Sequence, residues 1–415
     1  MLYSKLFGKT SREATKKFES VNHELLTKAG FIDQISSGIF TLLPLGKKVL
    51  VKIENIIRQE INNIGGQEIL MPLLSPKANW LKTKRWDTVD VLFKTKSRFD
   101  QEYAIAPTHE EIVTPLAKKY VNSYRDLPLA LYHITTKFRD EPRPKSGILR
   151  GKEFGMKDLY SFHTTKEDLL KYYKIVTEAY LKIFERCGFK DVKVTEASGG
   201  SFTKKFSHEF NVLTPAGEVN LIYCDKCKFT QNEEVAKQKS GEKCQSCKTG
   251  EIKKTKAIEI GNIFDLETKF SDDFDFKFTD EGGKKQPVIM GCYGIGTTRV
   301  LGTVVEIHHD EKGIVWPEEI TPYKVHLIGL DLANKEIKNK AENVYQELLD
   351  NKIEVLYDDR EDLSAGQKFA AADLIGIPYR LVVSKRTKDK IEIKQRSSNE
   401  ATIITVDQAI SKIKN

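Results

Sequence analysis

The sequence predicts an α+β fold, in which an antiparallel sheet flanked by helices forms the main domain and a smaller α/β domain follows. Three observations support this prediction. The chain has 415 residues, more than one ordinary domain contains, so two or three domains are expected. Short β-like runs follow one another between two long helical patterns, which favours an antiparallel sheet over a doubly wound one. Beyond Pro322 strands and helices alternate instead.

Apolar periodicity predicts two long helices in the main domain. The first covers 45–64, where one face would carry Val49, Ile53, Ile56, Ile57, Ile61 and Ile64. Gly65-Gly66 ends this helix, and the short strand "QEILMP" follows it. The second helix is predicted over 166–187. The remaining β-like runs are "EYAIAP", "LALYHITTKF", "GMKDLYSFH" and "AIEIGNIFDL".

The pattern changes at "VWPEEITPYKVHLIGL", where two prolines precede a new strand. The elements predicted after it are strand 325–330, helix 334–350, strand 353–358, helix 365–375, strand 379–384, strand 390–395 and helix 406–414. We therefore divide the chain into a catalytic-type core over 1–221 and 257–320, an inserted module over 222–256 and a C-terminal domain over 321–415.

Composition narrows the class of protein. The net charge of +8 weakly favours a polyanionic partner such as nucleic acid. No run of about 18 apolar residues occurs, so no membrane span is expected. The start, "MLYSKLFGKTSREATKKFE", lacks the apolar core of a signal peptide, which predicts a cytoplasmic protein.

Four of the six cysteines form a spaced pattern in the inserted module. They read C-x2-C-x16-C-x2-C and are Cys224, Cys227, Cys244 and Cys247. Two such pairs are typical of a zinc ion held by four thiolates. Such a site has no open ligand position, so we expect structural Zn²⁺ in a zinc-ribbon-like module. A redox role is the alternative.

A charged and aromatic stretch, residues 135–163, reads as two antiparallel strands joined by a loop. Residues two apart share a strand face, so Arg139 and Glu141 should point the same way. Arginine can clamp a phosphate or carboxylate, glutamate can accept from an amino group, and Phe154 can stack on a flat base. Together these residues would hold a nucleotide in a bent pose. A salt-bridged surface hairpin is the alternative.

A glycine-rich stretch, "MGCYGIGTTRVLGTVVE", reads as a turn into an apolar helix. Arg299 falls in the first helical turn, where a cation is unfavourable unless an anion compensates it. The spacing does not match a phosphate loop, and a packing turn is the alternative.

A third stretch, "APTHEEIVTPL", places Thr108, His109, Glu110 and Glu111 where a β-run passes into a helix. Thr108 could cap the helix, and acids favour its N-terminus. That role explains one acid better than two, so the other carboxylate could hold a cationic amine.

Together and in this order, these stretches resemble a class II aminoacyl-tRNA synthetase, specifically a bacterial-type prolyl-tRNA synthetase that lacks the large editing insertion. The first class motif, a long helix and a strand ending in proline, is matched by 45–72. The second is matched by "FRDE" with "RGKEF", and the third by "GCYGIGTTR". The prolyl-type "PTHEE", "KDLYSFH" and "GGSxxxxxSHEF" also occur, and "LYDDREDLSAGQKFAAADLIGIP" resembles the anticodon-binding domain.

The resemblance implies residue roles for ATP. Arg139 would bind the α-phosphate and the substrate carboxylate, and Glu141 the adenine amino group. Phe154 and Arg299 would stack on either side of adenine, with Arg299 also touching the γ-phosphate. Arg150 would reach the outer phosphates. The arginines would act by positioning and electrostatics, with Arg139 and Arg299 as the catalytic residues.

The resemblance also implies a proline pocket. Thr108 and Glu110 would receive the imino group, Asp158 and Tyr160 would complete the pocket, and Cys292 would line it. Mg²⁺ would bridge the phosphates, assisted by Glu259 or another acid of "AIEIGNIF".

Three departures from the family pattern are visible. Only the cysteine module stands where many bacterial relatives carry an editing insertion, so we expect no editing in cis. Asn262 and Glu267 stand where His and Gly are usual. The loop with Gly199, Gly200 and Ser201 is longer than usual before His208.

The resemblance finally implies a homodimer that charges tRNA(Pro), with Asp359, Arg360 and Lys368 reading anticodon bases. The dimer would use the first motif, and the apolar helix face at 49–64 is compatible with it. Three alternatives are a non-catalytic RNA-binding protein, a stand-alone activating or deacylating paralogue, and a synthetase for another class IIa amino acid such as threonine. The retained ATP residues argue against the RNA-binding protein, and the C-terminal domain argues against the stand-alone paralogue. Cys292 argues against a synthetase for another amino acid.

Overall fold

The computed structural model describes residues 1–11, 18–200, 202–203 and 206–414, and of Phe206 only the backbone. Ser201 of the glycine-rich loop therefore lies outside the described residues. In the described part the α-helices are α1 (Val21–Lys28), α2 (Pro44–Asn63), α3 (Lys77–Lys82), α4 (Glu110–Ala117), α5 (Lys166–Arg186), α6 (Lys269–Asp273), α7 (Thr297–Ile307), α8 (Lys335–Asp350), α9 (Ala365–Ile375) and α10 (Val406–Lys414).

The strands are short except for those of the central sheet. They are β1 (Ile32–Ser36), β2 (Ile39–Leu42), β3 (Gln67–Glu68), β4 (Leu74–Pro76), β5 (Phe93–Lys96), β6 (Glu102–Ile105), β7 (Leu129–Phe138), β8 (Glu153–His163), β9 (Val192–Ser198), β10 (Phe206–Leu213), β11 (Val219–Cys224), β12 (Thr230–Asn232), β13 (Ile252–Glu267), β14 (Lys277–Thr279), β15 (Lys285–Pro287), β16 (Ile289–Gly296), β17 (His309–Asp310), β18 (Gly313–Ile314), β19 (Val325–Gly329), β20 (Val355–Asp358), β21 (Tyr379–Val383), β22 (Ile391–Gln395) and β23 (Ala401–Ile404).

The chain divides into two compact units. One comprises residues 1–35, 40–53 and 304–415, and the other residues 36–39 and 54–303. The second unit contains a nine-stranded sheet in the order β10-β9-β12-β11-β13-β16-β8-β7-β3. Its central ladders β7–β8, β8–β16 and β13–β16 are antiparallel, as the consecutive β-like runs predicted.

The register across this sheet positions the site. Asn262 of β13 lies opposite Gly294 of β16, which lies opposite Asp158 of β8. Two residues along the same strands, Cys292 of β16 lies between Phe264 of β13 and Tyr160 of β8. Residues directly opposite share a face of the sheet. The ladder thus gathers side chains more than 100 positions apart in sequence onto one surface.

Helix α5 follows the sequence rules for a stable helix. The Thr165 hydroxyl accepts from the Asp168 amide at 3.2 Å, and Glu167 and Asp168 are the acids of its first turn. Its buried side chains are Leu169, Val176, Ala179, Tyr180, Ile183 and Phe184. This apolar stripe packs on the strands that carry the site, with contacts to β8, β13 and β16.

Three local predictions need correction. The run "GCYGIG" is strand β16 and not a turn, because the two flanking ladders satisfy its backbone groups. A Cβ at Gly291 would lie 2.3 Å from the Tyr293 hydroxyl, so glycine there allows close packing within the strand. Only Gln67–Glu68 of "QEILMP" is a strand, and β23 was not predicted.

The apolar face of α2 is covered within the chain. The side chains Val49, Ile53, Ile56, Ile57 and Ile61 are all at most 4% exposed. The helix forms as predicted, but this face is not free to bind a partner.

The other unit contains a five-stranded sheet in the order β20-β19-β21-β22-β23. Strands β20, β19 and β21 are parallel, and β22 and β23 continue antiparallel. The predicted alternation of strands and helices from 325 is therefore confirmed. Across the described residues, no helix is both long enough and apolar enough to span a membrane.

Candidate active site

A cavity of about 430 Å³ opens over β8, β13 and β16. The predicted site residues that line it are Thr108, Arg139, Glu141, Arg150, Phe154, Asp158, Glu259, Asn262, Cys292 and Arg299. The structure thus gathers most of the predicted site around one space. Glu110 and Tyr160 do not line it, but each contacts residues that do.

The Arg139 side of the cavity carries the predicted nucleotide residues. The Arg139 guanidinium lies 5.2 Å from the Phe154 ring centroid, within cation–π distance. Burial, and secondarily the charge of Arg299, lower the pKa of Arg139. Arg150 donates to Glu141 at 2.8 Å and lies 3.5 Å from Glu218. Arg139 lies beside the Phe154 ring, and Arg150 lines the same cavity. These two arginines form a cationic surface that suits a nucleotide polyphosphate.

Arg299, in the first turn of α7, is held by backbone. It donates to the Leu149 carbonyl at 2.8 Å and to the Glu259 carbonyl at 3.2 Å, while the Glu259 carboxylate lies 3.7 Å away. These contacts fix the guanidinium at the cavity wall. They also offset part of the unfavourable position of a cation at a helix N-terminus.

The Thr108 end of the cavity is rich in buried polar groups. The Thr108 hydroxyl donates to Glu110 at 2.5 Å, and the Cys292 thiol donates to the same carboxylate at 3.1 Å. Tyr160 accepts from the His109 amide at 2.9 Å and donates to Asp158 at 3.3 Å. Two buried carboxylates therefore face a thiol and two hydroxyls, an arrangement that suits a compact cationic group with hydrogen-bond donors.

Asp158 is held by a network that the sequence did not predict. Lys137 lies 2.5 Å from Asp158, donates to His133 at 2.9 Å, and also contacts His109 Nδ1. Lys137 is 0% exposed. Burial and the neighbouring lysine lower the pKa of His109 to about 2, so the ring is neutral and its Nε2 donates to the Pro72 carbonyl at 3.0 Å.

Asp158 stays charged because of this network. Burial favours its neutral form, but Lys137 and His133 outweigh that effect and hold the pKa of Asp158 below its usual range. The signal in the sequence was Lys137 directly before "FRDE". Only the strand register shows that it lies beneath the pocket.

The two residues that depart from the family pattern, Asn262 and Glu267, have different positions. Asn262 lines the cavity, and its Oδ1 is buried without a hydrogen-bond partner among the described residues. Glu267 ends β13 with φ 53° and lies 3.9 Å from Lys166, outside the cavity lining. Asn262 therefore forms part of the cavity wall, whereas Glu267 has no direct contact with the cavity.

A second carboxyl pair consists of Glu259, which lines the cavity, and Glu209, which does not line it. Glu209 is 8% exposed and accepts from Asn211 at 3.2 Å and from Asn232 at 3.4 Å. Burial, followed by the charge of Glu259, raises the pKa of Glu209 to about 7. This pair concentrates negative charge next to a cationic cavity.

The four spaced cysteines meet at one point, which we call the cysteine tetrad. Cys224 Sγ lies 3.6 Å from Cys247 Sγ, and Cys227 Sγ lies 3.7 Å from Cys244 Sγ. Four sulfurs at about 2.3 Å from a zinc ion are separated by about 3.8 Å. Both observed separations are close to that value, and all four cysteines are free of disulfides. The donor set therefore fits zinc.

The three anticodon candidates lie together in the other unit and have intramolecular partners. Asp359 accepts from the Ser4 amide at 2.8 Å, and Arg360 pairs with Asp358 at 2.6 Å above the Tyr3 ring. Lys368 is 2% exposed and donates to the Gly329 carbonyl at 2.6 Å. Asp359 and Arg360 are partly exposed, and Lys368 is not.

Comparison with known proteins adds two family matches. Residues 93–308 match the tRNA synthetase class II core domain (G, H, P, S and T), and residues 324–415 match the anticodon binding domain. The cavity residues from Thr108 to Arg299 all fall inside the first match.

Curated relatives match along the whole chain. A proline--tRNA ligase of Dehalococcoides mccartyi (strain CBDB1) is 34% identical, covering 100% of this chain and 98% of the relative. A proline--tRNA ligase of Ehrlichia ruminantium (strain Gardel) is 38% identical, covering 100% of both. The first alignment runs over 561 positions and the second over 430. The longer relative thus carries a segment that this chain of 415 residues lacks.

Proposed function

The chain belongs to the proline--tRNA ligase family of class II aminoacyl-tRNA synthetases, and from that premise we propose how its site works. The chain activates proline with ATP to prolyl-adenylate, with pyrophosphate as the leaving group, and transfers the prolyl group to a terminal ribose hydroxyl of tRNA(Pro), which releases AMP. The observation that carries this proposal is one cavity that joins Arg139, Glu141, Phe154 and Arg299 to the pocket at Thr108 and Cys292.

ATP would occupy the cationic side of the cavity. Phe154 and Arg299 would stack on adenine, Glu141 would accept from its amino group, and Arg150 would reach the outer phosphates. Arg139 would then stand between the α-phosphate and the proline carboxylate. Its charge would draw the carboxylate oxygen toward phosphorus and stabilise the negative charge that develops there, as preorganised donors do.

Proline would enter the pocket through its imino group. A secondary ammonium has two hydrogens to donate, and the Glu110 carboxylate and the Thr108 hydroxyl lie together to accept them. Lys137 would keep Asp158 charged. Asp158 would thus add a second negative charge to the pocket, next to Tyr160, which donates a hydrogen bond to it. Cys292 would contact the apolar ring.

Mg²⁺ would be bound by carboxylates next to the phosphates. Glu259 lines the cavity, and buried Glu209 lies beside it. Hard oxygen ligands suit this ion, and its charge would relieve the repulsion between the two acids. When bound, Mg²⁺ would neutralise part of the negative charge of the ATP phosphates.

Zn²⁺ would be held by the cysteine tetrad in a structural role, because four sulfur ligands complete its coordination. The module that carries the tetrad covers residues 222–256. It is too short to form a hydrolytic domain, so this chain performs no editing in cis.

The active form would be a cytoplasmic homodimer. The face of α2 is buried, but β3 is an edge strand of the large sheet, and exposed leucines follow it at Leu70 (83%) and Leu74 (52%). Exposed apolar side chains beside a sheet edge are typical of an interface.

The test is amino-acid-dependent exchange of pyrophosphate into ATP, measured with each amino acid separately and without tRNA. We expect exchange with proline alone. Exchange with a different amino acid would overturn the specificity, and no exchange from folded, zinc-loaded protein would favour a non-catalytic RNA-binding protein. Asparagine at 262 is then tested by the Asn262→His variant, which should keep proline-dependent exchange.

A further inference from the structure

The cysteine tetrad brings together four lysines that the proposed reaction does not use. Lys226, Lys228, Lys243 and Lys248, which we call the knuckle lysines, each lie within two residues of a tetrad cysteine. The cysteine sulfurs all lie within 4.8 Å of one another. Two segments that are distant in sequence therefore present these lysines around a single point.

The knuckle lysines are exposed and available. All four have high solvent exposure, and within the described ranges none lies within 4.0 Å of a carboxylate oxygen. The nearby acids have other contacts: Asp225 accepts from the Glu251 amide at 2.8 Å, and Glu242 accepts from the Lys239 amide at 3.0 Å. Unpaired lysines on a small module are a surface for a polyanion.

The module as a whole is basic. Residues 222–256 contain nine lysines and five acidic residues, with no arginine. Four thiolates with one Zn²⁺ would carry two negative charges, so the lysines still exceed the negative charge. Lys254 pairs with Glu233 at 2.5 Å, so this lysine is not among those available to a partner.

A continuous ladder connects the knuckle lysines to the cavity. Strands β11 and β13 pair from Cys224 opposite Ile252 to Val219 opposite Ala257. Val219 and the next residue on β13, Ile258, line the cavity. Five residues of extended strand span about 17 Å, so the lysines lie a few nucleotides' length from the place where the reaction occurs.

We propose that the knuckle lysines bind the phosphate backbone at the acceptor end of the tRNA substrate. The terminal ribose must reach the cavity, so the phosphates a few nucleotides before it lie at the distance of the module. Lysine binds phosphates by charge without reading bases, so the surface guides the end of the tRNA and leaves its identity to other contacts. This inference rests on the proposed function.

The test uses a variant in which all four lysines are neutralised, K226Q/K228Q/K243Q/K248Q, in the full-length, zinc-loaded protein. We expect the KM for tRNA in aminoacylation to rise about 10-fold, while proline-dependent pyrophosphate exchange stays within two-fold of wild type. The salt dependence of tRNA binding should also flatten, by about 3 in the slope of log K against log salt, because each phosphate contact contributes about 0.7–0.9.

Two controls make the result specific. The variant K171Q/K174Q/K190Q/K285Q removes the same charge from other exposed positions and should leave the KM for tRNA unchanged. The four lysine-to-arginine substitutions at the knuckles keep the charge and should behave as wild type. An unchanged KM in the neutralised variant, or an equal rise in the displaced control, overturns the proposal.

The outcomes also separate this inference from the proposed function. If the wild-type protein shows no exchange, the function fails, and direct tRNA binding by the two neutralised variants still decides the surface. If neutralisation lowers exchange as much as aminoacylation, or removes the zinc, the lysines are structural and the proposal is wrong. If the KM for tRNA rises as expected, the half-variants K226Q/K228Q and K243Q/K248Q show which pair of lysines causes the rise.

Discussion

Arg139 shows how much a single side chain in this site depends on its neighbours. Its position one residue beyond β7 places it over Phe154, and its charge lies close to that of Arg299. Two nearby cations in a partly buried cavity are unfavourable until an anion binds between them. A bound polyanion would relieve the repulsion between the two guanidinium groups.

The first prediction concerns Arg139. In Arg139→Gln, proline-dependent exchange should fall about 10²–10³-fold, the usual cost of a donor that stabilises developing charge. The free energy of unfolding should not decrease, because a poorly compensated charge is removed. Arg143→Gln, at an exposed neighbouring position, should keep wild-type exchange. A similar loss in both variants would contradict a specific role.

The second prediction concerns the pH dependence of stability through Glu209. Its folded pKa is raised to about 7 from an ordinary value near 4.5, so the folded state favours the protonated acid. The contribution of Glu209 to stability is then complete below pH 4.5 and is lost as pH rises through 7. Glu209→Gln cannot ionise, so its stability advantage over wild type should grow by roughly 1–3 kcal/mol between pH 5 and 9.

Urea unfolding at several pH values measures this difference without magnesium present. Glu196→Gln provides the matched comparison, since its carboxylate accepts from Gln231 at 2.6 Å in the same sheet; an equal growth of the advantage in both variants would show that the effect is not specific to Glu209. An advantage for Glu209→Gln that is constant with pH would show that Glu209 does not titrate in this range.

At the scale of elements, apolar periodicity and capping residues predicted the long helices and strands. They did not predict the features that depend on pairing between strands. Helices α2 and α5 and the strands β7 and β8 follow from apolar spacing and turn residues in the sequence itself. Strand β16 was not predicted, because its glycines have low strand propensity and two neighbouring strands hold it in place. The same limit hid Lys137, whose contact with Asp158 depends on the β7–β8 register.

The third prediction concerns the cysteine tetrad. Cys247→Ser should reduce bound zinc from about one ion per chain to nearly none, because a structural site needs all four ligands. Unfolding should then begin at a lower temperature in the module, which is part of the large sheet. Metal content by atomic absorption and thermal unfolding measure the two effects. Cys187→Ser should keep the zinc, and zinc retained by Cys247→Ser would contradict the site.

The fourth prediction concerns the proposed anticodon contacts. Asp359→Ala should lower kcat/KM for tRNA about 10-fold in aminoacylation and leave exchange unchanged, since exchange needs no tRNA. Asp362→Ala, exposed nearby, is the control. Ser4→Ala separates the two roles of Asp359, because it removes the hydroxyl that donates to that carboxylate. If Ser4→Ala has the same effect, Asp359 acts by holding the fold and not by reading a base.

At the scale of the whole molecule, the fold class and the family could be read from the sequence because several motifs occur in order over the full length. The surface that we propose for a second copy could not be predicted in this way. The α2 face that looked available is buried, and the exposed leucines after β3 have no periodicity that would identify them. Exposure depends on the complete fold, so it becomes visible only in the structure.

The fifth prediction follows from that surface. Leu70→Asp should convert a dimer into a monomer in sedimentation velocity, because a charge at a desolvated contact is costly. Leu170→Asp, at an exposed position on α5 with 52% exposure, should remain a dimer. A wild-type monomer with full activity would refute the dimer itself.

The group around Lys137 has one more consequence. Two histidines and an aspartate converge there in an arrangement that could hold a metal ion, yet the centre is taken by an ammonium that belongs to the chain. A tethered cation cannot dissociate, be exchanged for a competing ion, or run short when the supply of metals in the cell falls. The positive charge beneath the proposed proline pocket is therefore part of the polypeptide, and it does not depend on a metal ion being bound.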